Sequence, residues 1–234
     1  MPVIISFWRR LLDFIIPRQC SICGERLCIT DHAICTPCNF RLPRTGFQKE
    51  PKENPMAKIF WGLIPIENAA ALFFYHPHTK SARIVHQLKY FGMENVAQDM
   101  GRLIANEFND YGFFSDIDII VPMPTTFRRR LERGYNQCEA IAAGVREITA
   151  LPIAHNAAVR TKFNGSQTRK SSMERRENVK NVFRLKDASI IKGKHVLIID
   201  DIITTGATIM SLAEELMKGG VKKISVLTIG FTKS

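Results

Sequence analysis

Nearly unbroken apolar runs alternate along this chain with segments whose apolar positions recur at helical spacing. AAALFFY from Ala69, IDIIV from Ile117, HVLIID from His195 and KISVLTIGF from Lys223 are short and apolar, which predicts strands buried on both faces. SARIVHQLKYFG and ENVAQDMGRLIANEF carry Ile84, Leu88, Met100, Leu103 and Ile104 on one helical face, and ERGYNQCEAIAAGVREI and GATIMSLAEELMKGG also read as helices. Strands and helices in turn predict an α/β fold, a parallel sheet flanked by helices. At the start, Ile4, Trp8, Leu11 and Ile15 predict an amphipathic helix ended by Pro17, docked on its own domain or lying on a membrane surface. Arg9, Arg10 and Asp13 interrupt that run too often for a signal peptide, and no other stretch is long enough to span a bilayer, so the chain is expected in the cytoplasm. RLPRTGFQKEPKENPMAKIF is polar, proline-bearing and without period. It makes residues 43–68 a linker or exposed loop between an N-terminal module, 1–42, and a larger domain, 69–234.

Five of the six cysteines fall between residues 20 and 38, where Cys20-x-x-Cys23 and Cys35-x-x-Cys38 stand eleven residues apart. Each pair can curl around one side of a tetrahedral ion, with Gly24 free to turn tightly, and four thiolates close a structural zinc site with no position left for catalysis. The alternatives are a disulfide pair or four free thiols, disfavoured in reducing surroundings. Cys28 and His32 read as spare loop residues and Cys138 as packing; His76, His78 and His86 do not form a convincing ligand set.

HVLIIDDIITTGAT, residues 195–208, places two carboxylates at the end of a predicted strand and a hydroxyl-rich loop where the next helix begins. In open parallel sheets, ligands bind beyond the carboxyl ends of the strands. Unpaired N–H groups and the positive end of the helix dipole suit a phosphate there, and Gly206 lets the backbone approach it closely. The aspartates would repel that phosphate if they faced it, so they suit neighbouring sugar hydroxyls, which donate to carboxylates. Together the pattern describes a ribose 5-phosphate. Composition adds one point: 33 Lys and Arg against 22 Asp and Glu leave a charge of +11, which favours anionic partners without choosing among phosphates, nucleic acid and a membrane surface.

VLIIDDIITTGAT resembles the phosphoribosyl-pyrophosphate loop of type I phosphoribosyltransferases. Taken with the paired Cys-x-x-Cys knuckles, LKYFG, VPMPTTFRRRLERGYNQ and RTKFNGSQTRKSSMERRENVKNVF, in that order, the chain resembles their ComF-like branch, associated with DNA uptake and natural competence. The likeness covers nearly the whole chain; Met123 and Cys138 depart from it, where a smaller aliphatic residue and a Ser or Ala are expected. It implies a type I phosphoribosyltransferase fold with a small N-terminal four-cysteine zinc module, binding phosphoribosyl pyrophosphate with magnesium and transferring the phosphoribosyl group to a nitrogen acceptor. By this resemblance Asp200 and Asp201 hold the ribose 2- and 3-hydroxyls, and Thr204, Thr205, Gly206, Ala207 and Thr208 cradle the 5-phosphate. The pyrophosphate loop, often strained or cis in this family, falls at Met123, Thr125, Thr126 and Arg128, with Arg129, Arg130 and Arg133 adding charge. A flexible loop offers Arg160, Gln167, Arg169, Arg176 and Asn178 for closure, and the hood that chooses the acceptor is expected from the N-terminal third. A different class stays open, a non-catalytic module that senses phosphoribosyl pyrophosphate or engages single-stranded DNA or a DNA-uptake helicase. The charge favours it; aromatic residues, 9% of the chain and not interleaved with the Arg runs, speak against a stacking platform.

Overall fold

The computed structural model describes residues 17–28, 30–90, 92–161 and 182–232; the helix expected around Ile4, Trp8, Leu11 and Ile15 lies outside them. In chain order come α1 (Thr36–Phe40), a 3₁₀ turn (Phe47–Lys49), α2 (Pro55–Lys58), β1 (Asn68–Phe74), α3 (Ala82–Gln87), α4 (Glu94–Asn109) and β2 (Ile119–Pro122). There follow α5 (Phe127–Arg133), α6 (Gln137–Thr149), β3 (Ala158–Arg160), β4 (Phe183–Leu185), β5 (His195–Ile203), α7 (Ala207–Lys218) and β6 (Lys223–Phe231).

Four strands form a parallel sheet in the order β1-β6-β5-β2. Parallel neighbours need long crossovers, and each one here carries a helix, so all four carboxyl ends meet at one edge. β5 is paired on both sides, Ile199 with Pro122 and Asp200 with Thr228, which explains why its residues 195–199 are all buried. The position of α6 is fixed by contact with α4 through two glycines. A Cβ on Gly101 would stand 2.1 Å from the Ile141 carbonyl oxygen, and one on Gly144 would stand 2.0 Å from that of Gln98. Only glycine permits such an approach, and it aims the first turn of α6 at the sheet's carboxyl edge.

The structure departs from the sequence reading in three places. ERGYNQCEAIAAGVREI is not one helix: Gly134, left-handed at φ 79°, ends α5, and Asn136 starts α6 by accepting from the Cys138 N–H at 3.1 Å. Residues 43–68, expected as a linker or exposed loop, instead bury Phe47, Met56, Phe60 and Ile64. Phe47 packs edge-on against Phe74 and Phe231 at the ends of β1 and β6, and buried Asn54 caps α2 while donating to the Ala69 carbonyl at 2.7 Å. These anchors sit on separate short turns, so they make no period in the sequence. The third departure is β3 and β4, a short antiparallel ribbon outside the main sheet that the apolar pattern does not predict, with Arg160, expected in the flexible loop, on β3.

Candidate functional site

Asp200 and Asp201 stand at the carboxyl end of β5, each half-buried. Asp200 Oδ1 accepts from the Asp201 N–H at 2.9 Å and from the Cys138 thiol at 3.5 Å; Asp201 Oδ1 accepts from the Ile202 N–H at 2.8 Å. Burial, and after it the Asp201 charge, push the Asp200 carboxyl up to about 8. Burial first, then the two aspartates, raise the Cys138 thiol well above its ordinary value, so it stays a donor toward Asp200.

Beyond the pair, Thr204 and Thr205 are exposed and Gly206 is left-handed at φ 74°, directly before α7. No side chain caps α7, so its first N–H groups face a small recess of about 40 Å³ lined by Asp200 and residues 202–209. An unclaimed helix N-terminus is an anion site in the making. Gly206 leans on the 43–68 segment: a Cβ there would meet Ile59 Cγ2 at 2.8 Å and Phe60 Cε1 at 3.2 Å.

On the other side of Asp200 lies a larger recess of about 190 Å³, which Met123, Thr125, Arg160 and Asp201 also line. Here the arginine run sorts by helical geometry. Arg128 turns outward to Glu132 at 2.8 Å and Arg130 to Glu139 at 3.2 Å. Arg129 and Arg133, four residues apart on the same helix, face the recess and form no ion pair among the described residues. Thr126 is occupied as the α5 cap, accepting from the Arg129 N–H at 3.3 Å, and the described residues contain no cis peptide. Arg160, on β3, lies 5.5 Å over the Phe183 ring; burial and the Arg129 charge lower its pKa. Gln167, Arg169, Arg176 and Asn178 lie outside the described residues.

The structure therefore gathers Asp200, Asp201, Met123, Thr125 and Arg160 around one recess, with residues 204–208 beside it, and leaves Arg128 and Thr126 away from it. Lys89 and Gln137 also line it, and the sequence reading gave neither a role. Lys89 lies in LKYFG; Gln137 follows an Asn whose helix-starting signal accounts for the pattern without it.

At the N-terminal end, the sulfur atoms of Cys20, Cys23, Cys35 and Cys38 all lie within 4.8 Å of one another, and those of Cys23 and Cys35 are 3.8 Å apart. A disulfide needs about 2.05 Å, whereas sulfurs about 2.3 Å from a tetrahedral centre stand roughly 3.8 Å apart. The four can hold a metal ion. Gly24, at φ 81°, turns the first knuckle, and the N–H groups of Ile22 and Cys35 donate to the Cys20 sulfur at 3.4 Å. Cys28 is exposed and outside the group, and His32 faces Asp99 at 3.6 Å.

Comparison with known proteins finds the phosphoribosyl transferase domain family matching residues 86–231. The "DNA utilization protein YhgH" of Escherichia coli K12 is 28% identical over 210 residues, 88% of this chain and 87% of that protein. "Competence protein F" of Haemophilus influenzae is 33% identical over 110 residues, 47% of this chain and 48% of that protein. Among solved structures, glutamine phosphoribosylpyrophosphate amidotransferase from B. subtilis aligns with a TM-score of 0.43 at 19% identity, over 62% of this chain and 30% of that one. Among the described residues no helix is long and apolar enough to cross a membrane.

Proposed function

The chain belongs to the phosphoribosyl transferase domain family, and on that premise we propose that it binds phosphoribosyl pyrophosphate with magnesium and transfers the phosphoribosyl group to a nitrogen acceptor. The observation that carries this reading is the order of chemistry around Asp200. A helix N-terminus without a side-chain cap lies on one side, a carboxylate pair in the middle, and a recess lined by Arg129 and Arg133, unpaired among the described residues, on the other. Those three match, in order, a 5-phosphate, ribose hydroxyls and a pyrophosphate.

In this arrangement Thr204, Thr205, Gly206, Ala207 and Thr208 hold the 5-phosphate, and Asp200 and Asp201 accept from the 2- and 3-hydroxyls. Met123 and Thr125, with Arg129 and Arg133, face the pyrophosphate. The acceptor nitrogen attacks C1 as the bond from C1 to the pyrophosphate oxygen breaks, the electron pair leaving with pyrophosphate. The chemistry that magnesium would supply there, when bound with the substrate, is neutralisation of charge on the leaving group. The protein's share is orientation and fixed charge. The names of the relatives support extending the proposal to DNA utilisation and competence; the proposal includes zinc as the ion of the cysteine group, which the 3.8 Å sulfur separation suits, and a cytoplasmic location. The charge of +11 favours a second reading, in which the same pocket senses the ligand without turnover and the basic surface engages single-stranded DNA or a helicase.

Calorimetry tests the pocket. Changing Asp200 and Asp201 to Asn removes two charge-assisted acceptors and should weaken phosphoribosyl pyrophosphate binding about tenfold or more. Gly206→Val should also lose inorganic phosphate, which the Asn variant keeps. Undiminished affinity in all of these folded variants sinks the proposal; pyrophosphate release across a panel of bases and single-stranded DNA separates turnover from sensing.

A further inference from the structure

Gln137 occupies the first position of α6, is only 3% exposed, and lines the larger recess together with Cys138 and Thr125. Its neighbours are engaged. Asn136 donates to the Met123 carbonyl at 3.2 Å and accepts from the Cys138 N–H, and the Cys138 thiol donates to Asp200. The Gln137 side-chain amide forms no hydrogen bond among the described residues. The residue is nearly covered, yet its amide atoms are not among the sealed polar atoms that lack a partner, so they open on the recess, where a ligand can complete them.

The surroundings say what that ligand group carries. α6 is 13 residues long and its first turn opens on the recess, adding the positive end of its dipole. Lys89, Arg129 and Arg133 line the same space without an ion pair among the described residues, and the Thr125 side chain adds a hydroxyl. Apart from the aspartates, these side chains offer hydrogen-bond donors. A group whose every oxygen accepts fits them; a base edge, which alternates donors with acceptors, would set its own donors against cations.

Resting on the reading of this pocket as a phosphoribosyl pyrophosphate site, we propose that Gln137 is a specificity-determining contact. Its amide N–H donates to the pyrophosphate group on C1, and so distinguishes this sugar phosphate from one that lacks the group. Gln137→Met keeps the length and removes the donors; Gln137→Glu keeps the shape and sets a negative charge against the anion.

The test is calorimetry in magnesium with phosphoribosyl pyrophosphate, ribose 5-phosphate and inorganic pyrophosphate, on variants whose melting temperatures match the parent. Gln137→Met should lose about tenfold in affinity for both pyrophosphate-bearing ligands, with ribose 5-phosphate changed by less than about twofold, and Gln137→Glu should lose more. An equal loss for ribose 5-phosphate would show that Gln137 acts by positioning α6 and Asp200, and no loss for either pyrophosphate ligand would show that it makes no contact; both overturn the inference. A parent protein that binds pyrophosphate through Gln137 but not phosphoribosyl pyrophosphate overturns the proposed function and keeps this contact. A parent that binds neither overturns both.

Discussion

Asp200 and Asp201 are adjacent in sequence and meet different surroundings. Asp201 accepts from the Ile202 backbone, whereas burial first, and then the Asp201 charge, raises Asp200 to about 8 against the opposing hydrogen bond from Cys138. The native state therefore holds a proton on Asp200 that an unfolded chain, with an ordinary carboxyl near 3.8, has released. The stability this group contributes is full below about 4 and is lost as pH rises toward about 8. Asp200→Asn cannot ionise, so its melting temperature should fall less than the parent's over that window; parallel curves in a thermal scan against pH would refute it. Donation from ribose hydroxyls favours the charged form, so binding near pH 7 should release up to about one proton, detectable as a dependence of the calorimetric enthalpy on buffer ionisation. The carboxylate pair was legible from its place after an apolar run. The raised carboxyl of Asp200 was not, because the burial that causes it comes from segments that only the fold brings together. Gly206 teaches a similar lesson. The sequence required a glycine for the phosphate's approach, but the atoms that a side chain there would strike belong to Ile59 and Phe60.

At the scale of elements, the strands and the long helices were legible because burial on one stripe or on both faces leaves a period. α4, β5, α7 and β6 fall where their apolar patterns place them. The elements that escaped are those without a period: the buried turns of residues 43–68, and the three-residue strands β3 and β4, whose pairing is a contact between distant segments. The arginine run shows what an element adds to a charge count. As sequence, Arg128, Arg129, Arg130 and Arg133 are equivalent; as α5, two are answered by Glu132 and Glu139 and two face the recess. Changing Arg129 and Arg133 to Ala should therefore lower affinity for inorganic pyrophosphate by about tenfold or more, with the Arg128 and Arg130 pair changed far less. If single-stranded DNA binds through the outward arginines, its salt dependence should flatten only in that second variant. Loss of pyrophosphate affinity in the Arg128 and Arg130 variant would reverse this assignment of faces.

For the molecule as a whole, named polar contacts join the cysteine group to the sheet domain. Arg83 of α3 donates to the Ile22 carbonyl at 3.1 Å, and Arg44, just after α1, reaches both Asn39 and Glu107 of α4. Ile22, Leu27, Ile34 and Leu42 of the module join the same apolar core as the sheet, whose residues 196–199 of β5 and most of β6 are fully buried. Stability should still be uneven, because the four thiols would need an ion to hold them together whereas the strands rest on apolar burial. Freshly reduced protein should carry about one zinc per chain, held by the four clustered thiols. On chelation, amide protection should collapse in residues 18–42 while the amides of β5 and β6 exchange as slowly as before, and a Cys35→Ser variant should reproduce this pattern without chelator. The link through Arg83 sets the next consequence. α3 leads into the turn that carries Lys89, so freeing the module should weaken pyrophosphate binding by a few-fold and leave inorganic phosphate at residues 204–208 unaffected. Hydrogen exchange read by mass spectrometry checks the first part and calorimetry the second. Chelated protein that loses protection in the sheet at the same rate as in the module would make the ion a support of the entire fold.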